Sequence, residues 1–238
     1  MRLLVTRPPP EAERTAAALR ARGHEVTVAS LLRIEPVEFA VGGLKYGAVV
    51  MTSANAARML EHHRQRDAIT LLPAVVVGRH TAEAARAAGF KVITSADGDK
   101  EELAGLLRRR FAESSRPLLY LAAQERAAEL ADCGVRVDTV VVYRAVKIEV
   151  FPLELTAALP VLDGVMHFSR RSAEAYLECA DHARVLEHAL GRIQFCLSQQ
   201  VAEPLAAAGA ADIRVPARPT AAALLELVEA SRSPSPRA

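Results

Sequence analysis

The chain has 238 residues, 51% hydrophobic and 24% charged, and its 30 Lys and Arg nearly balance 28 Asp and Glu to leave a net charge of +2. That length allows one large domain or two ordinary ones, and that composition excludes a disordered chain. The near-neutral charge gives no general case for nucleic-acid binding, and no window approaches the ~20 apolar residues of a membrane span. Cys133, Cys179 and Cys196 form no C-x-x-C pair, so neither a disulfide framework nor a zinc knuckle is expected. The apolar run after Met1 is too short for a signal peptide. The expectation is a soluble, cytoplasmic protein that engages neither nucleic acid nor membrane.

Strand and helix alternate along the chain. Residues 2–6 read as a short buried strand, and Pro8, Pro9 and Pro10 open a helix over 12–22, because proline suits the first helical position. Gly23 is a good residue to stop it. A strand over 25–28 follows, then an extended segment over 31–39 in which Pro36 blocks helix. The next pairs are a strand at 48–51 with a helix at 54–63, and a strand at 73–77 with a helix at 81–88 closed by Gly89. A strand at 91–94 with a helix at 100–111, and a strand at 117–121 with a helix at 125–131, complete this run. Val140, Val141 and Val142 then lead into Tyr143 and a second extended segment, 140–148, since consecutive β-branched residues favour strand. After it come helix 151–159, strand 164–168, helices 172–179 and 183–190, strand 192–197, helix 201–208 and strand 212–215. Thr220 is placed to cap a last helix ending at 230. Residues 231–238, polar and proline-containing, read as a disordered tail.

Short continuous apolar strands with helical crossovers predict parallel sheets covered on both faces. The units are too many for one small sheet. The expected fold is therefore α/β, with two doubly wound parallel sheets. Segments 31–39 and 140–148 each lie between runs of strand–helix units, and they are read as two crossings of a hinge.

A repeat is visible at the strand-to-helix turns. Phe168-Ser169-Arg-Arg-Ser172-Ala173 parallels Val77-Gly78-Arg-His-Thr81-Ala82, and Leu197-Ser198-Gln-Gln-Val201-Ala202 and Thr52-Ser53-Ala-Asn-Ala56-Ala57 follow the same plan. Leu121-Ala-Ala123-Gln-Glu-Arg126-Ala127 is a weaker copy. A small residue lets the backbone turn sharply, and the first helical N–H groups then point unpaired out of the carboxyl end of the sheet. Such helix starts attract anions, and they sit where open α/β sheets bind ligands. Several together suit a polyanion. The plainer alternative is that Ser and Thr here are ordinary helix caps.

Nothing marks a nucleophile or an acid–base pair. No dinucleotide or P-loop signature occurs, no nucleophile elbow, and the histidines lack metal-binding spacing. His167, inside an apolar strand, reads as a satisfied buried histidine. Arg108, Arg109 and Arg110 suit the negative end of a helix dipole.

Val5-Thr-Arg-Pro8, Thr52-Ser-Ala-Asn-Ala56, Val77-Gly-x-x-Thr81-Ala, Val142-Tyr-Arg144, Phe168-Ser-x-x-Ser172-Ala, Leu197-Ser-x-x-Val201-Ala and Pro219-Thr220 occur in that order. As an ordered set spanning all but the tail, they resemble the uroporphyrinogen-III synthase family. The resemblance implies two α/β domains joined by a two-stranded β-ladder, with the active site in the cleft between them. The first domain would be discontinuous, 1–33 plus 149–230; the second would be 39–140, with 31–39 and 140–148 as hinge strands.

The implied reaction converts linear hydroxymethylbilane to uroporphyrinogen III with loss of water and inversion of ring D. No metal or organic cofactor is implied. The implied protein is a monomer that handles a small polycarboxylate and makes transient contact with the preceding deaminase. Tyr143 is the implied candidate for assisting hydroxyl departure, with a hinge tyrosine as the alternative reading. Arg7, Ser53, Gly78, Thr81, Ser169, Ser172 and Ser198 carry over as residues of carboxylate-binding loops. The family often has Arg-Gly where this chain has Ala122-Ala123, which puts that loop's carboxylate contacts in question. The rival function is a non-catalytic two-domain binding module for a polyanionic, tetrapyrrole-like ligand. A two-domain sugar-nucleotide transferase is disfavoured, because no acidic metal or diphosphate motif is seen.

Overall fold

The structure, a computed structural model, describes residues 1–43, 45–96, 100–126, 130 and 133–232. In chain order it begins with β1 (Arg2–Val5), α1 (Glu11–Arg20), β2 (Glu25–Val28) and β3 (Leu32–Pro36). It continues with β4 (Val49–Met51), α2 (Ala54–Arg58), α3 (Arg66–Thr70), β5 (Ala74–Val77), α4 (Arg79–Ala88), β6 (Ile93–Ala96), α5 (Lys100–Phe111) and β7 (Leu118–Ala123). The long strand β8 (Val137–Lys147) follows, then α6 (Leu153–Ala158), β9 (Gly164–His167), α7 (Arg170–His182) and α8 (Leu186–Leu190). Last come β10 (Ile193–Cys196), α9 (Gln199–Ala207), β11 (Ile213–Arg214) and α10 (Ala221–Ala230). No helix among the described residues is long and apolar enough to cross a membrane.

The chain divides into two compact units, Met1–Arg33 with Val146–Ala238, and Ile34–Ala145. The sheet of the first unit has the order β11-β10-β9-β1-β2 and is parallel throughout. Strand order reverses between β1 and β9, the position at which an open α/β sheet offers a ligand crevice at its strand ends. Alternate side chains serve opposite faces. Leu4, Val165 and Cys196 pack with α6, α7 and α9 in one cluster. Leu3, Val5, Met166 and Phe195 pack with α1 and α10 in the other. Gly164 is required by this packing, since a Cβ there would lie 2.7 Å from a ring carbon of Phe195.

The second sheet has the order β3-β8-β7-β4-β5-β6, parallel from β8 to β6. Its reversal lies between β4 and β7. Val49, Met51, Leu119 and Leu121 face α2 and α4, while Val50, Tyr120 and Ala122 face α5. Both sheets are thus covered on both faces, as continuous apolar strands require. At the ends of β3 and β8, Val37 N donates to Val142 O at 3.0 Å and Ile148 N to Leu31 O at 3.1 Å, an antiparallel sense. Arg144 and Glu35 join them with an ion pair of 2.8 Å.

Three expectations are revised. The helix expected over 54–63 ends at Arg58, and α3, unanticipated, forms at Arg66–Thr70. The cause is tertiary. The His63 ring stacks on Phe39 with centroids 3.9 Å apart, and Gln65 brackets the backbone of Val41 with two bonds of 2.8 Å. The extended segment around Tyr143 is part of an eleven-residue strand, and most of that strand pairs with β7. Ser231 and Arg232, placed in the tail, are held by bonds from Ser231 Oγ to Leu227 O and from Arg232 to Arg22 O. Residues 233–238 lie outside the described residues, as does most of the helix expected over 125–131.

Candidate functional site

In the first unit, β1, β9 and β10 are parallel neighbours, so Arg7, Ser169 and Ser198 leave the sheet on one rim. The exits of β1 and β9 are clasped by Thr6, whose Oγ1 donates to Met166 O at 2.8 Å. Arg7 follows at once, and its guanidinium carbon lies 4.3 Å over the ring of Phe168. Burial lowers the Arg7 pKa from the ordinary arginine range, with the charge of Glu11 acting the other way.

The two helix starts on this rim differ. At α7, Ser169 Oγ accepts from Ser172 N at 3.2 Å and Ser172 Oγ accepts from Ser169 N at 3.3 Å, a closed capping box. Ser172 Oγ also donates to Ser169 O at 2.8 Å and is buried, so its side chain is committed to the helix. At α9, Ser198 caps no backbone N–H. In the first turn of α9, Val201 N donates to Ser198 O at 3.1 Å, and the amides of Gln199 and Gln200 are left without a side-chain cap.

In the second unit, β4, β5 and β7 deliver Ser53, Gly78 and Gln124 to one rim. Ser53 closes its helix start with a single side-chain bond, its Oγ accepting from Asn55 N at 3.2 Å. Beside it, Thr52 Oγ1 and Tyr120 OH are 2.9 Å apart. Gly78 opens α4 at φ 76° and ψ 156° with no side chain to cap it. That backbone region belongs to glycine, and among the described residues, its two chain neighbours aside, no heavy atom lies within 4 Å of where a Cβ would stand. A ligand atom could approach the bare first turn of α4 there. Thr81, in that turn, has a buried side chain, which leaves its backbone N–H as its means of contact. Ala122 and Ala123 are both buried at the exit of β7, and neither has a positive φ.

Tyr143 lies inside β8, where Ala122 pairs with Val141 and Ala123 with Tyr143, so one extra residue is accommodated. Its ring is 6% exposed and packs in the apolar cluster beneath α2 and α4. His167 is fully buried and bonded to Gln194 Oε1 at 2.9 Å. Burial holds its pKa down, from the usual 6.5 to about 4.

The structure therefore brings Arg7, Ser169 and Ser198 to one rim, and Ser53, Gly78 and Thr81 to another. Ser172 is turned into its own helix cap, and Tyr143 stands within a strand. Phe168, Thr52 and Tyr120 were not singled out as site residues. The only sequence signal for Phe168 is its place beside Ser169 at a strand end, and none separates Tyr120 from an ordinary core aromatic. Among the described residues no group of His, Cys, Asp and Glu is arranged to hold a metal ion.

The sequence matches the family of uroporphyrinogen-III synthase HemD over residues 13–226. The crystal structure of uroporphyrinogen-III synthetase from Helicobacter pylori is similar at 20% identity and a TM-score of 0.65, covering 98% of this chain and 100% of that one. The crystal structure of a mutant uroporphyrinogen III synthase from the extremely thermophilic bacterium Thermus thermophilus is similar at 16% identity and a TM-score of 0.50, covering 97% and 96%. At these identities the likeness is one of fold. No curated protein matches the chain in sequence.

Proposed function

Because the chain belongs to the uroporphyrinogen-III synthase family, we propose that its open strand-exit rims bind carboxylates of hydroxymethylbilane during ring closure. The family's enzymes act in tetrapyrrole biosynthesis, cyclising this linear substrate to uroporphyrinogen III with loss of water and inversion of ring D. The observation that carries the proposal is the uncapped start of α4 at Gly78, where no other described residue crowds the Cβ position, with a second uncapped start at Ser198. Free first-turn N–H groups and the positive end of the helix dipole favour carboxylate oxygens. Arg7 adds a full positive charge.

Such a site meets what the reaction demands. Departure of the substrate hydroxyl leaves an azafulvene stabilised by its pyrrole nitrogen. Ring D attacks through its substituted carbon, and the spiro intermediate fragments and recloses. Without the enzyme, closure tends to give the uninverted isomer. The protein's task is to hold ends and side chains in the productive geometry and to keep water from the intermediate. Tyr143 is assigned to assist hydroxyl departure through its phenol. The burial of its ring favours a second reading, in which the hydroxyl only fixes β8.

The two units are read as two domains, with 31–39 and 140–148 as the connecting hinge strands. The protein is read as a cytoplasmic monomer that receives its substrate from the preceding deaminase. A coupled assay from porphobilinogen with that deaminase tests the function. Isomer III in excess of the spontaneous product is expected. Isomer I alone would refute the synthase reading, and tight bilane binding without isomer III would favour a non-catalytic binding module.

A further inference from the structure

Arg7 is anomalous for an arginine at a sheet edge. It sits one residue beyond the Thr6 clasp, at the strand-order reversal of the first sheet. Burial removes much of its solvent, yet among the described residues its guanidinium has neither a hydrogen bond nor an ion pair. Among the described residues its guanidinium lies against the face of Phe168, and the charge of Glu11 acts on it from the first turn of α1. The register explains the meeting. Val5 pairs with Met166, so continuing the parallel ladder two residues sets Arg7 beside Phe168. Thr6 N and Thr6 Oγ1 both bond Met166 O, which fixes the spacing of the two exits.

A guanidinium donates only in its plane, and its faces are weakly hydrated. Covering one face with an aromatic ring costs little solvation, restricts rotation of the long side chain, and leaves the in-plane donors free. That arrangement is suited to a planar two-oxygen acceptor taken edge-on. Resting on the family's reaction, we propose that Arg7 is a bidentate clamp for one carboxylate side chain of the substrate, and that Phe168 is the positioning residue that aims it. Phe168 itself touches no reacting atom. Its contribution is to hold the clamp before substrate arrives, so that its removal weakens substrate capture more than turnover.

The test is steady-state kinetics with hydroxymethylbilane on the wild type, Arg7→Ala, Arg7→Lys, Phe168→Leu, Phe168→Tyr and the Arg7→Ala/Phe168→Leu double variant. Thermal unfolding is followed for each. Phe168→Leu is expected to raise KM about fivefold with little change in kcat, and Phe168→Tyr to restore the wild-type KM. Arg7→Ala is expected to raise KM by about tenfold or more, and Arg7→Lys to recover only part of that loss. In the Arg7→Ala background Phe168→Leu should have no further effect on KM. An unchanged KM in Phe168→Leu, or independent multiplication of the two effects in the double variant, would overturn the proposal. If Phe168→Leu lowers the unfolding temperature, Phe168→Tyr and the cycle still decide it. Wild type that yields only isomer I would overturn the enzymatic reading itself, whereas active wild type with additive variants would overturn this inference alone.

Discussion

Acidification from pH 7 to 5 should destabilise the unit made of Met1–Arg33 and Val146–Ala238 through one buried imidazole. Gln194 Nε2 donates to Ala189 O and Arg192 O, both at 2.8 Å, which turns its Oε1 toward His167. His167 Nε2 must then carry the proton in that 2.9 Å bond. His167 Nδ1 is buried with no hydrogen-bond partner among the described residues. A second proton would put an N–H and a charge where nothing receives them. Burial accordingly lowers the pKa from 6.5 to about 4, opposed by the Gln194 bond. Between those values the unfolded chain binds more protons than the folded one. Stability is therefore complete above pH 6.5 and falls with pH until about 4. The full loss is about 3 kcal/mol, of which about 2 kcal/mol is reached by pH 5. Urea unfolding followed by far-UV circular dichroism, at pH 7 and pH 5, measures it. His167→Gln, which can still donate to Gln194, is the control that cancels the titration of carboxylates. Wild type should lose about 2 kcal/mol more than the variant over this interval. Equal losses, or an imidazole that titrates near its ordinary value by NMR, would refute the reasoning.

Tyr143→Phe should lower kcat by about tenfold or more if the hydroxyl assists water loss, with stability changed by less than ~1 kcal/mol; undiminished turnover would remove that hydroxyl from the chemistry. Gly78→Ala forces a side chain into a glycine-only backbone region, so urea unfolding should show a loss of about 1–3 kcal/mol, accompanied by a raised KM. Ser169→Ala removes a capping bond and should cost about 1 kcal/mol in thermal unfolding. Ser198→Ala has no such bond to lose, and a stability loss as large as that of Ser169→Ala would contradict the distinction between closed and open helix starts.

Much of the fold was legible because its determinants are local. The helix at 100–111 is observed as Lys100–Phe111. Gly89, at φ 112°, ends α4 as a left-handed cap. Thr220 caps α10, its Oγ1 accepting from Ala223 N at 3.2 Å. Each depends on a few consecutive residues. The helix at 54–63 was not legible in the same way. Its apolar pattern continues past Arg58, but residues 39–41, distant in sequence, claim His63 and Gln65 for a stack and a pair of bonds.

The candidate site divides along the same line. The repeated strand–small residue–helix pattern placed Ser53, Gly78, Thr81, Ser169 and Ser198 at strand exits, because period and turn chemistry are written in adjacent residues, whereas Arg7 entered only through the family resemblance. Ser53, Gly78, Ser169 and Ser198 occupy equivalent places in that pattern, so the sequence could not rank them. Hydroxyl orientation and backbone dihedrals decided that two helix starts are closed by their own side chains and two are open. The sequence by itself determined the alternation of strands and helices, their approximate spans and the residues at their junctions, since these follow from periodicity, propensity and caps. Only the tertiary structure decided that Arg7 lies over Phe168. Those residues are neighbours through the pairing of β1 with β9, and strands 160 residues apart in the chain meet only when the sheet is built.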